Sequence, residues 1–168
     1  LSSPERTGMA QSKRPATFDD VMRVKAVGNP TLSPDAATVL YTVRQWESER
    51  DRTESRTRIW KVAVAGGPAR QITFGERGDS QPQWSPDGRY ISFVSARGEG
   101  TGDDAPRAQI HVMRTDGGEA WKLTDAKEAV TSYSWSPDST RIAYVTIDPR
   151  SNDEEATIRK RDDARVFE

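Results

Sequence analysis

"SQPQWSPDGRYISFVS", residues 80–95, places a Ser85-Pro86-Asp87-Gly88 turn between two runs rich in aromatic and β-branched residues. Proline presets φ at the second turn position, aspartate suits the third and glycine accepts positive φ at the fourth, so the stretch predicts a hairpin. The chain contains it three times. "PTLSPDAATVLYTV" (30–43) and "YSWSPDSTRIAYVT" (133–146) put Ser33, Ser85 and Ser136 at steps of 52 and 51. Ala36 and Ser139 stand where the middle copy has Gly88, so the outer turns are expected to be more strained or of a different subtype.

The register reaches well past the turn. "IWKV" (59–62) lies 51 residues before "IHVM" (110–113), Gly66-Gly67 lies 51 before Gly117-Gly118, and "QIT" (71–73) lies 51 before "KLT" (122–124). Such self-similarity marks a repeated structural unit. In the middle copy, "SQPQW", "RYISFVS", "AQIHVMR" and "EAWKLTD" read as four short strands, with "TDGG" forming a second tight turn between the last two, as "AGGP" does in the first copy. Alternation puts Ile91 and Phe93 on one face, matched by Val39 and Tyr41 and by Ile142 and Tyr144. Val94 and Val145 lie on the other face, so both faces are expected to be covered. Trp84, Trp135 and the first-copy equivalent Leu32 are assigned to packing between sheets.

Four-stranded antiparallel sheets recurring at this period describe the blades of a β-propeller. The predicted class is all-β: two blades plus the first hairpin of a third, with a short N-terminal helix. A sandwich of two such sheets is the alternative. The boundaries are a disordered tail or expression scar over 1–16, a lead-in helix and connection over 17–29, blades over 30–75 and 76–126, and an incomplete third blade with a charged insertion over 127–168. In the helix, Thr17 is the N-cap, Asp20 completes a less than ideal capping box, and Phe18, Val21 and Met22 share a face that should dock beside the first blade.

Two and a half blades do not close a ring. If each free flank leaves roughly 400 Å² of blade face bare, the lost burial is about 10 kcal/mol per end, comparable to the stability of a domain. The expectation is that further polypeptide, in the same chain or another, supplies the missing blades.

The 25 basic and 26 acidic side chains leave a net charge of −1, which gives no electrostatic reason to expect nucleic acid or anionic lipid. No apolar run is long enough to span a bilayer, and 30% charged residues describe a soluble protein. The absence of cysteine removes disulfides and thiolate chemistry while leaving the compartment open between cytoplasm and periplasm or exterior. The first sixteen residues lack an export signal's apolar stretch, so either Met9 is a natural start or a signal has been removed.

"FDDVMRVKAVGNPTLSPDAATVLYTV", "PQWSPDGRYISFVS" and "RKRDDARVFE" together resemble the start of the propeller in the prolyl oligopeptidase family of serine peptidases, particularly its acylaminoacyl-peptidase and dipeptidyl-peptidase-like branch. "SPDG" alone is also found in the periplasmic propeller of the Tol system. The helical lead-in and the "DDARVF" insertion turn the resemblance toward the peptidases. It implies a parent chain with an α/β-hydrolase domain and a Ser-Asp-His triad, with the propeller restricting that site to peptides. It also leaves room for a homo-oligomer.

No catalytic residue carries over, because no Gly-x-Ser-x-Gly elbow occurs in these residues. His111 aligns with Trp60 on a blade strand and is read as structural. "GEGTGD" (98–103) fails the phosphate-loop spacing at Asp103 and is read as an inter-strand loop. Paired propeller glutamates hold a substrate's amino terminus in the dipeptidyl peptidases, so the resemblance makes Glu154 and Glu155 candidate substrate-binding residues, against a solvated charge run or a capped helix. The stretch 44–58 reads as a solvent-facing hairpin with Trp46 as its apolar anchor. One histidine and scattered carboxylates make no metal site, and no cofactor is called for. Two other functions stay open: a non-catalytic propeller that binds protein partners, and a self-sufficient two-sheet domain.

Overall fold

A computed structural model describes residues 15–49, 52–100 and 105–146. A short helix, α1 (Phe18–Met22), precedes ten strands. β1 (Ala26–Leu32), β2 (Thr38–Glu49), β3 (Arg52–Ala63) and β4 (Arg70–Gln71) form the first sheet; β5 (Asp79–Trp84), β6 (Tyr90–Ser95), β7 (Gln109–Arg114) and β8 (Trp121–Lys122) the second. β9 (Val130–Trp135) and β10 (Ile142–Thr146) pair as the inner hairpin of a third. Each strand pairs antiparallel with its sequence neighbour. β1 starts ahead of residue 30 because a register shift between Gly28 and Thr31 absorbs Pro30, which has no N–H to give a ladder.

The three sheets stack in series as a partial propeller. Leu40 and Ile59 of the first blade meet Ile91, Phe93 and Met113 of the second. Across its other face, Val94, Ile110 and Val112 meet Val130 and Tyr133 of the third. A two-sheet sandwich would leave one of these faces bare. Trp84 and Trp135 are half-buried at these seams, and each also donates to the preceding blade: Trp84 Nε1 to the Thr31 carbonyl at 3.3 Å, Trp135 Nε1 to Ser92 Oγ at 2.8 Å. Leu32 stands at the equivalent place on the first blade, before which no blade is described, and is 53% exposed. Val27 on the same blade and Val145 on the third are also exposed.

The repeated "T" of "QIT" and "KLT" has a structural cause. Thr73 Oγ1 accepts from the Ile59 N–H and Thr124 Oγ1 from the Ile110 N–H, both at 3.0 Å. Each hydroxyl satisfies a buried donor that the two-residue outer strand is too short to reach.

The three Ser-Pro-Asp turns are of one kind. The fourth-residue N–H bonds back to Ser33, Ser85 or Ser136 at 2.8–2.9 Å, and Ala36, Gly88 and Ser139 have φ of 57°, 72° and 60°. The expected alternative of a different subtype is thereby corrected; the outer copies keep the turn and carry the strain. In each turn the aspartate accepts from the serine hydroxyl, and in the third the Ser136 and Thr140 donors hold Asp138 down to about 2. Ser139 has a compensation: its Oγ accepts from the Asp87 N–H at 2.9 Å, tying two blades together. Ala36→Gly is therefore expected to stabilise by about 0.5–1 kcal/mol, relief of left-handed strain outweighing the added unfolded-state entropy. Ser139→Gly should gain nothing, because it gives up the inter-blade bond. Urea midpoints of the two variants check this contrast.

Helix α1 has both bonds of its capping box, Asp20 N to Thr17 Oγ1 and Thr17 N to Asp20 Oδ2, so aspartate serves at N3. The docking expectation is corrected. No residue of α1 is buried, and Phe18 is 75% exposed, because five residues make little more than one turn and are held by their own cap.

Candidate functional site

The end of the blades opposite the Ser-Pro-Asp turns carries the β2–β3 arm and, among the described residues, the ion pairs of Glu47, Asp79 and Glu128. β2 and β3 continue pairing out to Glu49↔Arg52, so residues 44–49 and 52–58 are the two arms of the extended hairpin read from sequence. Along it the Glu47 carboxylate meets Arg56 at 3.4 Å and Arg58 at 3.6 Å. Trp46 lies on its other face, half exposed.

Beside this arm, β5 begins at Asp79, which is fully buried. Arg97, just past β6, pairs with it at 3.2 Å and lies over the Phe93 ring, 4.9 Å from the centroid. Phe93 in turn stacks on His111 at 5.9 Å. The ring of Phe93 and the carboxylate of Asp79 thus fix the guanidinium between two loops. Arg77 donates to the Gly100 carbonyl, tying the connection into β5 to the β6–β7 loop. On the outer side of the second blade, the Gln109 carboxamide bonds Ala126 N and O and Thr124 Oγ1, pinning the next connection.

His111 is buried and its Nδ1 faces the Gln109 carbonyl at 3.2 Å. Burial pushes its pKa below the ordinary value, and the Arg97 cation adds to that against the Gln109 carbonyl and Asp79. Among the described residues no hydroxyl or carboxylate is hydrogen-bonded to the ring, which packs against Phe93 as part of the strand surface. No group of three or more metal-ligating side chains occurs among the described residues. None of the described helices is long and apolar enough to cross a membrane. Gly98 and Gly100 lie in the inter-strand loop; Thr101 to Asp103, and the candidates Glu154 and Glu155, lie outside the described residues.

The Asp79–Arg97 pair escaped the sequence reading. Its signal was present: in register, Val27 and Val130 hold the place of Asp79, so one copy exchanges an apolar residue for an acid. The site as described orders loops and offers charge; it contains no nucleophile with a base.

Three similarities bear on what such an end serves. The uncharacterized peptidase YuxL of Bacillus subtilis is 36% identical over 135 residues, 80% of this chain and 19% of the relative. Dipeptidyl-peptidase 5 of Porphyromonas endodontalis is 25% identical over 130 residues, 77% of this chain and 17% of the relative. The chain is a peptidase-related partial β-propeller. The solved isopeptidase AtxE2, in its apo form, superposes with a TM-score of 0.67 at 18% identity, over 92% of this chain and 27% of that one, and so shares the fold. No family model matches the chain. This peptidase-related propeller spans under a fifth of the length of the two peptidase relatives.

Proposed function

We propose that these residues are the opening blades of the propeller in a serine peptidase of the prolyl oligopeptidase type, gating which substrates reach a hydrolase domain elsewhere in the parent chain. The observation that carries the reading is the stack of in-register blades, bare on both outer flanks, in a chain similar to a peptidase over 80% of its length. A rigid ring of blades admits an extended peptide and excludes a folded domain. The loop-bearing end, with the β2–β3 arm and the ordered Arg97 segment, is the face proposed to meet the hydrolase. In that parent, a serine attacks the peptide carbonyl with histidine as base and backbone donors on the oxyanion. Glu154 and Glu155 are proposed to hold a substrate's free amino terminus through charge-assisted bonds.

The test uses a fluorophosphonate serine probe and peptide substrates. The parent chain should label stoichiometrically at a serine outside residues 1–168, and residues 1–168 alone should not label. The parent should cleave short peptides while sparing the same sequence inside a folded domain. Labelling within residues 1–168, or no labelling of the parent, overturns the assignment.

A further inference from the structure

The two seams between blades differ at their outer edge, and the repeat makes the difference legible. Propeller blades diverge outward, so the outer part of each seam needs bulky side chains to fill it. At the second seam Val112 on β7 is buried, Tyr90 on β6 is half-buried, and Trp121 on β8, 45% exposed, sets its ring edge to face on Tyr90 at 6.1 Å. Val112 pairs with Trp121 in the ladder. At the first seam the same register brings Thr38, Lys61 and Arg70 to these places, and Lys61 pairs with Arg70 in the same way.

The exchange of three apolar packers for a threonine and two cations leaves a cleft. It measures about 510 Å³, against about 330 Å³ at the second seam, although fewer described residues surround the latter. Trp84, Asp87 and Thr115 of the second blade form the facing wall, and Asp35 sits at the turn end. Both aspartates are engaged by their own turns: Asp35 Oδ1 accepts from Ser33 Oγ and Ala37 N, Asp87 Oδ1 from Ser85 Oγ and Arg89 N. Lys61 and Arg70 make no ion pair among the described residues. Two neighbouring cations stand at a packing position and, although the Asp35 and Asp87 carboxylates line the same cleft, neither is ion-paired among the described residues; such departures from packing mark binding sites.

We infer that the cleft between the first two blades is a binding site for a small oxyanion ligand, carrying a carboxylate or phosphate group, held by the Arg70 fork and the Lys61 ammonium. The guanidinium offers a planar bidentate contact and the lysine a point charge, the combination that suits either group. The inference concerns this chain's own seam and does not depend on the peptidase reading.

The experiment is thermal unfolding of the intact protein with inorganic phosphate or, separately, citrate, against sodium chloride at matched ionic strength. Either anion should raise Tm saturably, by about 5–10 °C at a hundred times its Kd. The response should vanish in Lys61→Gln/Arg70→Gln. A response to phosphate alone assigns a phosphate group, to citrate alone a carboxylate, and to both a general oxyanion site. A second variant, Lys61→Val/Arg70→Trp, carries the residues of the other seam and should gain a few degrees without anion while losing the response; should it fail to fold, the glutamine variant decides. A rise that chloride reproduces, no saturable rise with either anion, or an undiminished rise in Lys61→Gln/Arg70→Gln overturns the site.

Discussion

Arg97→Ala is expected to lower unfolding stability by about 3–5 kcal/mol, the cost of leaving a buried carboxylate without its partner. Asp79 is 0% exposed and its side-chain partner among the described residues is the Arg97 guanidinium, whereas Arg97 itself is partly exposed. The asymmetry predicts a milder loss for Asp79→Val, about 1–2 kcal/mol, since the freed arginine can turn outward while valine restores the residue of the other two copies. The double variant Asp79→Val/Arg97→Ala should then be more stable than Arg97→Ala alone. Urea unfolding of the three variants, with m unchanged, checks the order. An Arg97→Ala loss under about 1 kcal/mol would show that Asp79 finds other partners or water at little cost.

What was legible in the sequence was local or periodic. Ser-Pro-Asp-Gly is read correctly because proline and glycine set φ within four residues, and the strands because alternation is a property of neighbours. The step of 51 or 52 then gave the stacking, since Ile59 and Ile110 occupy one structural place and reach the same threonine partner. Interactions across seams left weaker traces. Gln81 and Gln83 donate to the Thr131 and Tyr133 carbonyls 50 residues on, and nothing in "QPQW" distinguishes these carboxamides from solvated ones. The phenol of Tyr133 donates to the Gln81 carbonyl and meets Ser92 Oγ, and burial raises its pKa above the ordinary value; the sequence shows only one more aromatic in a strand. Helix α1 failed the docking expectation because amphipathicity announces a face to be buried without saying by what. In the candidate site, the charge of the β2–β3 arm was visible and the Asp79–Arg97 pair was not, since its partners lie 18 residues apart in sequence at the open end of the β5–β6 hairpin.

The replacement of apolar packers by charge at single repeat positions connects these observations. Asp79 stands for valine and is paired, which makes it structural; Lys61 and Arg70 stand for valine and tryptophan and make no ion pair among the described residues. A propeller tolerates such exchanges because each blade contacts only its neighbours, so the loss is confined to one seam.

Phe93→Ala should cost about 3–5 kcal/mol through lost transfer energy and the cavity left between the first two blades. Its side chain is 0% exposed and belongs to the cluster with Leu40, Ile59, Ile91 and Met113, so two rigid sheets would have to approach to refill the space. Phe74→Ala, by contrast, should stay within about 0.5 kcal/mol, because that ring is 73% exposed. The ring also carries Arg97 on its face, so the two large predictions are coupled. Once Phe93 is alanine, Arg97 keeps its carboxylate but loses its platform, and the Arg97→Ala loss should shrink by about 0.5–1 kcal/mol. A cycle of Phe93→Ala, Arg97→Ala and the double variant measures that term. Additivity within about 0.3 kcal/mol would show that the ring positions the guanidinium without contributing to its energy, leaving Asp79 as the whole reason Arg97 is ordered.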